Sequence, residues 1–418
     1  MSGKLSILIL LPFIPFPPDD GGKIASYTFI ENLRRKHDFT VLVPVYNDKQ
    51  ARLVDEQRKL WPDVRIVSAV CGGGTLVGKL FRFIDRCLLA VKKAAGLEFS
   101  VFSDKDLLSP FLEYNADYFE ALKTLLHGER FDLIQSEYVQ NLSLVDFLPK
   151  ESRKVYVEVE SRYSLLEDYA SLEPSGRREY CAHIVDRVKS IETTFLEKYD
   201  AIIAYSTDDQ LRLQRLLPGK VVYKSPLNLI HESSREISFT NFSIDKIVFI
   251  GHEQHAPNRD AVEWFIEDIY PHVSRFGKKL YILGRWSKGF VSKYGKVPGV
   301  VFTGFVDDIE GFIRGGVNVA PIRLGGGGIR MKILLSISNG VPVVCTSKAC
   351  YGFDFVHGHN SMIAESASDF IASLSELLGS HELGTTLAQN AYQLYMENYS
   401  IESTTKIREG IYSDLVSG

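Results

Sequence analysis

The sequence has little of what marks several protein classes. Only five cysteines, Cys71, Cys87, Cys181, Cys345 and Cys350, occur in 418 residues. They are odd in number, scattered, and never spaced as C-x-x-C, which argues against a disulfide framework or a cysteine zinc site and suits a reducing compartment. No apolar run reaches the roughly 18 residues that a membrane-spanning helix needs. Charge of neither sign dominates: 48 Lys+Arg against 52 Asp+Glu leave a net −4. A global electrostatic attraction to nucleic acid is thereby excluded as an expectation, and any anion site must be local. There is no short-period repeat and no low-complexity tract, which removes collagen, coiled-coil rods and wholesale disorder. The apolar start, residues 5–11, lacks a small-x-small cleavage site. Prolines 12, 15, 17 and 18 follow it, then Asp19, Asp20, Gly21 and Gly22. It therefore reads as a buried first strand with a Pro/Gly-rich loop after it, and not as a signal peptide.

What is present is a globular α/β composition, 45% hydrophobic and 24% charged, in a length that suits two or three domains. Strand patterns at 6–11, 39–44, 64–67, 133–136, 154–158 and 201–205 alternate with helical patterns at 24–36, 48–60, 117–127 and 177–198. A polar stretch over 224–245 lacks periodicity. A second alternation follows, with strands at 246–251, 279–284, 300–303, 317–321, 343–345 and 361–364. Its helices fall at 260–274, 307–313, 328–339, 369–378, 382–395 and 401–416. Two such runs predict two Rossmann-like units, each a parallel sheet covered on both faces. In such sheets ligands bind beyond the carboxyl ends of the strands.

Several short motifs fail on chemistry. Residues 73–80, GGTLVGKL, match a P-loop until Leu80, which has no hydroxyl for Mg²⁺. In HEQH, His252 and His255 are three apart and Pro257 follows, so a zinc-protease helix is not formed. Asp104 and Asp106 make an isolated D-x-D ahead of a helix start. Residues 78–93, GKLFRFIDRCLLAVKK, space Leu80, Phe81, Ile84, Leu88 and Val91 helically, with Lys79, Arg82, Arg86, Lys92 and Lys93 between them. That pattern suits an anionic lipid surface or an ordinary surface helix.

The strongest site is LGGGGIRMK, residues 324–332, between a strand and an apolar-periodic helix. Glycines let backbone N–H groups close on an anion, and a helix N-terminus adds a favourable field. Arg330 and Lys332 oppose the helix dipole unless an anion compensates. Gly251, Gly284 and Gly304 each follow a strand of the second unit, outlining one wall of the same site.

In order and spacing, residues 246–355 resemble the family 4 (group 1) glycosyltransferases of GT-B fold, in the subgroup with a glycine-rich G-x-G-x-R-x-K loop. The resemblance runs through IVFIGHEQHAPNRDAVEWF, LYILGRW, PGVVFTGFVDD and NVAPIRLGGGGIRMKILLSISNGVPVVCT. It implies a GT-B protein with two Rossmann-like domains facing a central cleft. The N-terminal acceptor domain would span 1–228, a linker 229–245, the nucleotide-sugar domain 246–395, and a terminal helix, 396–418, would return to the first domain. It further implies retaining, metal-independent sugar transfer from a nucleotide-sugar to a glycan or lipid-linked saccharide, in polysaccharide or glycoconjugate synthesis. The nucleotide-sugar is a co-substrate and no cofactor is implied. Arg330 and Lys332 would hold the diphosphate, helped by Gly326, Gly327, Gly328, Ile329, Gly251 and Gly284. Phe305 and Val306 would line the base pocket, Gly21 and Gly22 would cover the sugar-diphosphate, and Glu160 or Glu158 would orient the acceptor or act as a base. Leu335 stands where the family often has a ribose-binding glutamate, which leaves open a degenerate GT-B protein with a binding or scaffold role. The expected location is cytoplasmic, with peripheral contact to an inner membrane face through residues 78–93.

Overall fold

The computed structural model describes residues 3–19, 21–72, 115–173, 175–230, 237–240, 242–324 and 329–417. The chain divides into two compact units. The first holds residues 1–203, 213–223 and 411–418, and the second 204–212 and 224–410. The stretch 204–212, which the sequence reading places in the N-terminal domain, clusters with the second unit. The last helix, Ile401–Ser417, begins in the second unit and ends in the first.

The first unit is built on strands β1 (Ser6–Leu10), β2 (Asp38–Val45), β3 (Arg65–Val70), β4 (Leu133–Glu137), β5 (Arg153–Glu158), β6 (Ala201–Ala204) and β7 (Val221–Lys224). They lie in the order β3-β2-β1-β4-β5-β6-β7. β1 runs parallel to both β2 and β4, and Leu8 stands beside Thr40 on one side and Ile134 on the other. The order reverses between β1 and β4, so this is the switch point of a doubly wound sheet. The strands read as nearly unbroken apolar runs because both faces are covered. Leu8, Leu10, Leu42 and Ile134 are buried with Tyr118, Leu122 and Leu125 of the helix Ala116–Gly128.

The second unit repeats the plan. Its strands are β8 (Lys246–Ile250), β9 (Lys279–Leu283), β10 (Val300–Gly304), β11 (Gly316–Ala320), β12 (Val343–Cys345) and β13 (Met362–Ile363). The order is β10-β9-β8-β11-β12-β13, and all five neighbouring pairs are parallel. Here the switch falls between β8 and β11. Alternation along β8 sends Ile247 and Phe249 to one face and Val248 to the other. The first face packs on Ile333, Leu334 and Ile337 of the helix Met331–Ser338; the second packs on Leu283, Ile313 and Val341. Burying each such aliphatic side chain contributes about 1.5–3 kcal/mol. Among the described residues no helix is long and apolar enough to cross a membrane.

Candidate active site

The carboxyl ends of β8, β9 and β10 are bound to one another through glycine backbones. Gly251 N–H donates to the Leu283 carbonyl at 2.9 Å, and Gly284 N–H donates to the Gly304 carbonyl at 2.8 Å. Gly284 has φ +117°, and a Cβ there would lie 2.3 Å from the Gly251 carbonyl oxygen. Only glycine permits that backbone approach. The Trp286 indole N–H donates to the same carbonyl at 3.0 Å. Ser287 N–H donates to Glu253 Oε2 at 2.5 Å, and bonds from Ser287 hold the Glu253 carboxyl below its usual range. A cleft of about 490 Å³, lined by His252, Glu253, Arg259, Arg285, Trp286 and Ser287, opens beside these loops.

Across the switch point, Arg330 occupies the N-cap position of the helix Met331–Ser338, with extended backbone and no capping bond from its side chain. Lys332 lies in the first turn. Its Nζ donates to Asn258 Oδ1 at 2.6 Å and sits 4.5 Å from the centroid of the Phe249 ring. Burial, reinforced by the charge of Arg330, pushes the Lys332 amine down to about 7. His255 is also pushed down, first by desolvation and then by Lys332, Arg330 and His252. Lys332 and His255 are thus both disfavoured in their charged forms beside Arg330 at a helix N-terminus. An anion placed among them would relieve both the mutual repulsion and the dipole conflict.

The remaining expected residues of this unit fall around the same strand ends. Phe305 follows β10 and is 82% exposed, whereas Val306 turns inward. Leu335, Ile250 and Val306 each pack against the buried cluster of Val248, Leu283, Ile313 and Val341. Leu335 is therefore tied into apolar packing and offers no hydrogen-bond acceptor. Ile329 is half-buried and packs toward Gly352, whose added Cβ would meet it at 3.2 Å. Gly326, Gly327 and Gly328 lie outside the described residues, as do the P-loop-like motif, Asp104, Asp106 and residues 78–93. The HEQH segment is a turn leading into the helix Ala256–Trp264. Among the described residues no group of three His, Cys, Asp or Glu side chains is arranged to hold a metal ion.

In the first unit, Gly21 and Gly22 open the helix Gly21–Leu33, earlier than the helical pattern at 24–36 suggests. Glu160 is exposed, two residues past β5, and Glu158 is buried at the strand end. Sequence reasoning passed over a second buried carboxylate, Glu137 at the end of β4. Ser26 Oγ donates to its Oε2 at 2.5 Å and Gln135 Nε2 to its Oε1 at 2.6 Å. The next residue, Tyr138, has φ +66°, a left-handed conformation unusual outside glycine. Such strain gathers at functional strand ends. Asn258 was also passed over; nothing local in APNRD marks it, because its partner lies 74 positions away.

Residues 244–380, within the second unit, match the family model described as glycosyl transferases group 1. No curated protein sequence matches. Among solved structures, sucrose-phosphate synthase from Thermosynechococcus elongatus aligns with 13% identity and TM-score 0.66, covering 99% of this chain and 100% of that one. S. aureus TarM, in a complex with fondaparinux, α-GlcNAc-glycerol and UDP, aligns with 12% identity and TM-score 0.61, covering 98% and 99%. Anabaena HepE with UDP-glucose aligns with 12% identity and TM-score 0.59, covering 98% and 100%. At these identities the likeness establishes the fold, which is GT-B over the whole chain.

Proposed function

We propose that this protein is a glycosyltransferase of the group 1 type, moving a sugar from a nucleoside diphosphate donor to a glycan or lipid-linked saccharide. The observation that carries the reading is the set of Arg330, Lys332 and His255 gathered at the switch point of the domain that matches the family. Breaking the anomeric C–O bond places negative charge on the departing diphosphate. Fixed cations at that point stabilise the transition state more than the ground state. Arg330 supplies a permanent charge. Lys332 supplies one once the anion draws a proton onto it. Gly251, Gly284, Ile329 and Gly326–Gly328 would let backbone approach the donor, with Phe305 and Val306 beside its base. Gly21 and Gly22 would serve the sugar-diphosphate. Glu160 is the proposed acceptor-orienting carboxylate, and its exposure leaves it accessible.

The proposal extends to transfer with retention of the anomeric configuration and without a divalent ion. Both rest on the resemblance and on the protein's own cations at the leaving group. The first-formed product's anomeric coupling, read by NMR with and without chelator, decides both. A second reading, a GT-B protein that binds without turning over, is favoured by Leu335, which is held in apolar packing. One experiment addresses both. Thermal shift against a panel of nucleoside diphosphates should show stabilisation by at least one, lost in Arg330→Ala. Donor hydrolysis or transfer then separates enzyme from binder. No shift with any nucleotide would overturn the transferase reading.

A further inference from the structure

We propose that Asn258 is the positioning residue for Lys332, holding its ammonium at the anion site by a neutral dipole instead of a counter-charge. The inference rests on the reading that Lys332 meets the donor diphosphate.

Asn258 lies in the first turn of the helix Ala256–Trp264 and is only 5% exposed. Its amide bridges two elements. Oδ1 accepts from Lys332 Nζ at 2.6 Å, and Nδ2 donates to the His252 carbonyl at 3.0 Å. These partners fix the amide's orientation, because an ammonium only donates and a carbonyl only accepts. The side chain cannot drift toward β8: a Cβ on Gly251 would lie 2.7 Å from Nδ2, so Asn258 already fills the space that glycine leaves. Beneath the amine the Phe249 ring closes the other side. A lysine carries four rotatable bonds, and a charge that wanders contributes little to one transition state. Here an acceptor, a ring and a helix turn define where Nζ stands.

The identity of the residue matters as much as its place. An aspartate would accept the same bond but would bring a permanent negative charge. That charge would neutralise the ammonium before a diphosphate arrived and would repel the diphosphate. Asparagine orients the amine and leaves its charge for the ligand. The other groups acting here are Arg330 ahead of the helix and His252 and His255 on the loop after β8. All of them are cations or potential cations.

The test uses the full chain, with UDP as the probe, and two readouts. The first is the titration midpoint of Lys332 by carbon-13 lysine NMR without ligand, assigned by loss of the signal in Lys332→Arg. The second is UDP affinity by calorimetry. Asn258→Asp should raise the midpoint by about one pH unit or more and weaken UDP at neutral pH by about tenfold. Asn258→Ser should lower the midpoint and also weaken UDP. Circular dichroism verifies folding, and the serine variant, which removes the amide without adding a charge, carries the test should the aspartate fail to fold. A merely structural asparagine would alter melting in both variants and leave the midpoint where it was. Midpoints that move by less than about 0.3 unit in folded variants would overturn the proposal. If the wild-type chain binds no UDP yet the midpoints move as stated, Asn258 positions Lys332 and it is the diphosphate reading that fails.

Discussion

Binding of a nucleoside diphosphate should draw a proton from solution. The perturbation is pH, scanned from 7 to 9. Lys332 is held at about 7 against an ordinary 10.5. Its charged form is disfavoured by burial and by Arg330, and a bound polyanion reverses the second effect and outweighs the first. The sign follows directly. A lysine whose value is low in the free protein and high in the complex takes up a proton on binding, so affinity is greatest below about 7 and falls as pH rises. At pH 8 a group titrating near 7 is about one-tenth charged, so up to about 0.9 proton is taken up per ligand bound. The dissociation constant should rise by nearly tenfold per pH unit, about 1.4 kcal/mol, until the complex itself titrates. Calorimetry in buffers of differing ionisation enthalpy measures the uptake, above the last ionisation of the diphosphate so that the ligand does not contribute. His255 faces the same site and its own uptake must be separated. Lys332→Arg does so, because an arginine retains the charge and does not titrate. Uptake near zero at pH 8, or an affinity flat from 7 to 9, would refute the reasoning. So would an uptake that Lys332→Arg leaves unchanged.

The glycines at the strand ends predict a contrast in stability. Gly284→Ala combines φ +117° with a Cβ placed 2.3 Å from a backbone oxygen. It should cost about 2–5 kcal/mol, from strain and overpacking together. Gly304→Ala, at φ +70° with nothing within 4 Å, should cost only about 1–2 kcal/mol. Urea midpoints of the two variants compare them, and equal costs would argue against the close contact of the β8 and β9 ends. For membrane contact, replacing Lys79, Arg82, Arg86, Lys92 and Lys93 by glutamine should release the protein from anionic liposomes in a flotation assay. Unchanged flotation, or none by the parent chain, would dismiss that role for residues 78–93.

The strands were legible wherever burial on both faces wrote an unbroken apolar run. KIVFI predicts β8 and VVC predicts β12, and both lie where those runs end. What escaped notice had no such run. β7, VVYK, is a four-residue sheet edge with an exposed first residue, and it shades into the polar stretch expected to be a linker. The helix Lys288–Tyr294 is too short to display a 3.6-residue period. The candidate site divides along the same line. Gly251 and Gly284 were visible because several strands of one sheet end in a glycine, at the carboxyl ends beyond which ligands lie. Arg330 and Lys332 were visible because two cations at a helix start oppose its dipole.

What sequence reasoning could not supply was depth. Lys332 and Arg330 are two residues apart and look alike as charges in a loop. Their difference arises from alternation along β8, which turns Phe249 toward the helix Met331–Ser338 and sets its ring under Nζ. Asn258 then supplies a neutral acceptor at hydrogen-bond distance that leaves the amine's charge intact. Glu137 escaped for the same reason, since Ser26, which holds it, is 111 positions away. A residue's chemistry at such sites is set by what a distant strand or helix brings against it. The family resemblance therefore suggests which cations to propose for the site, while burial and the neighbouring charge of Arg330 set Lys332 apart. A variant that changed Phe249 or Asn258 would keep every residue of the glycine-loop motif and still alter how the site meets an anion.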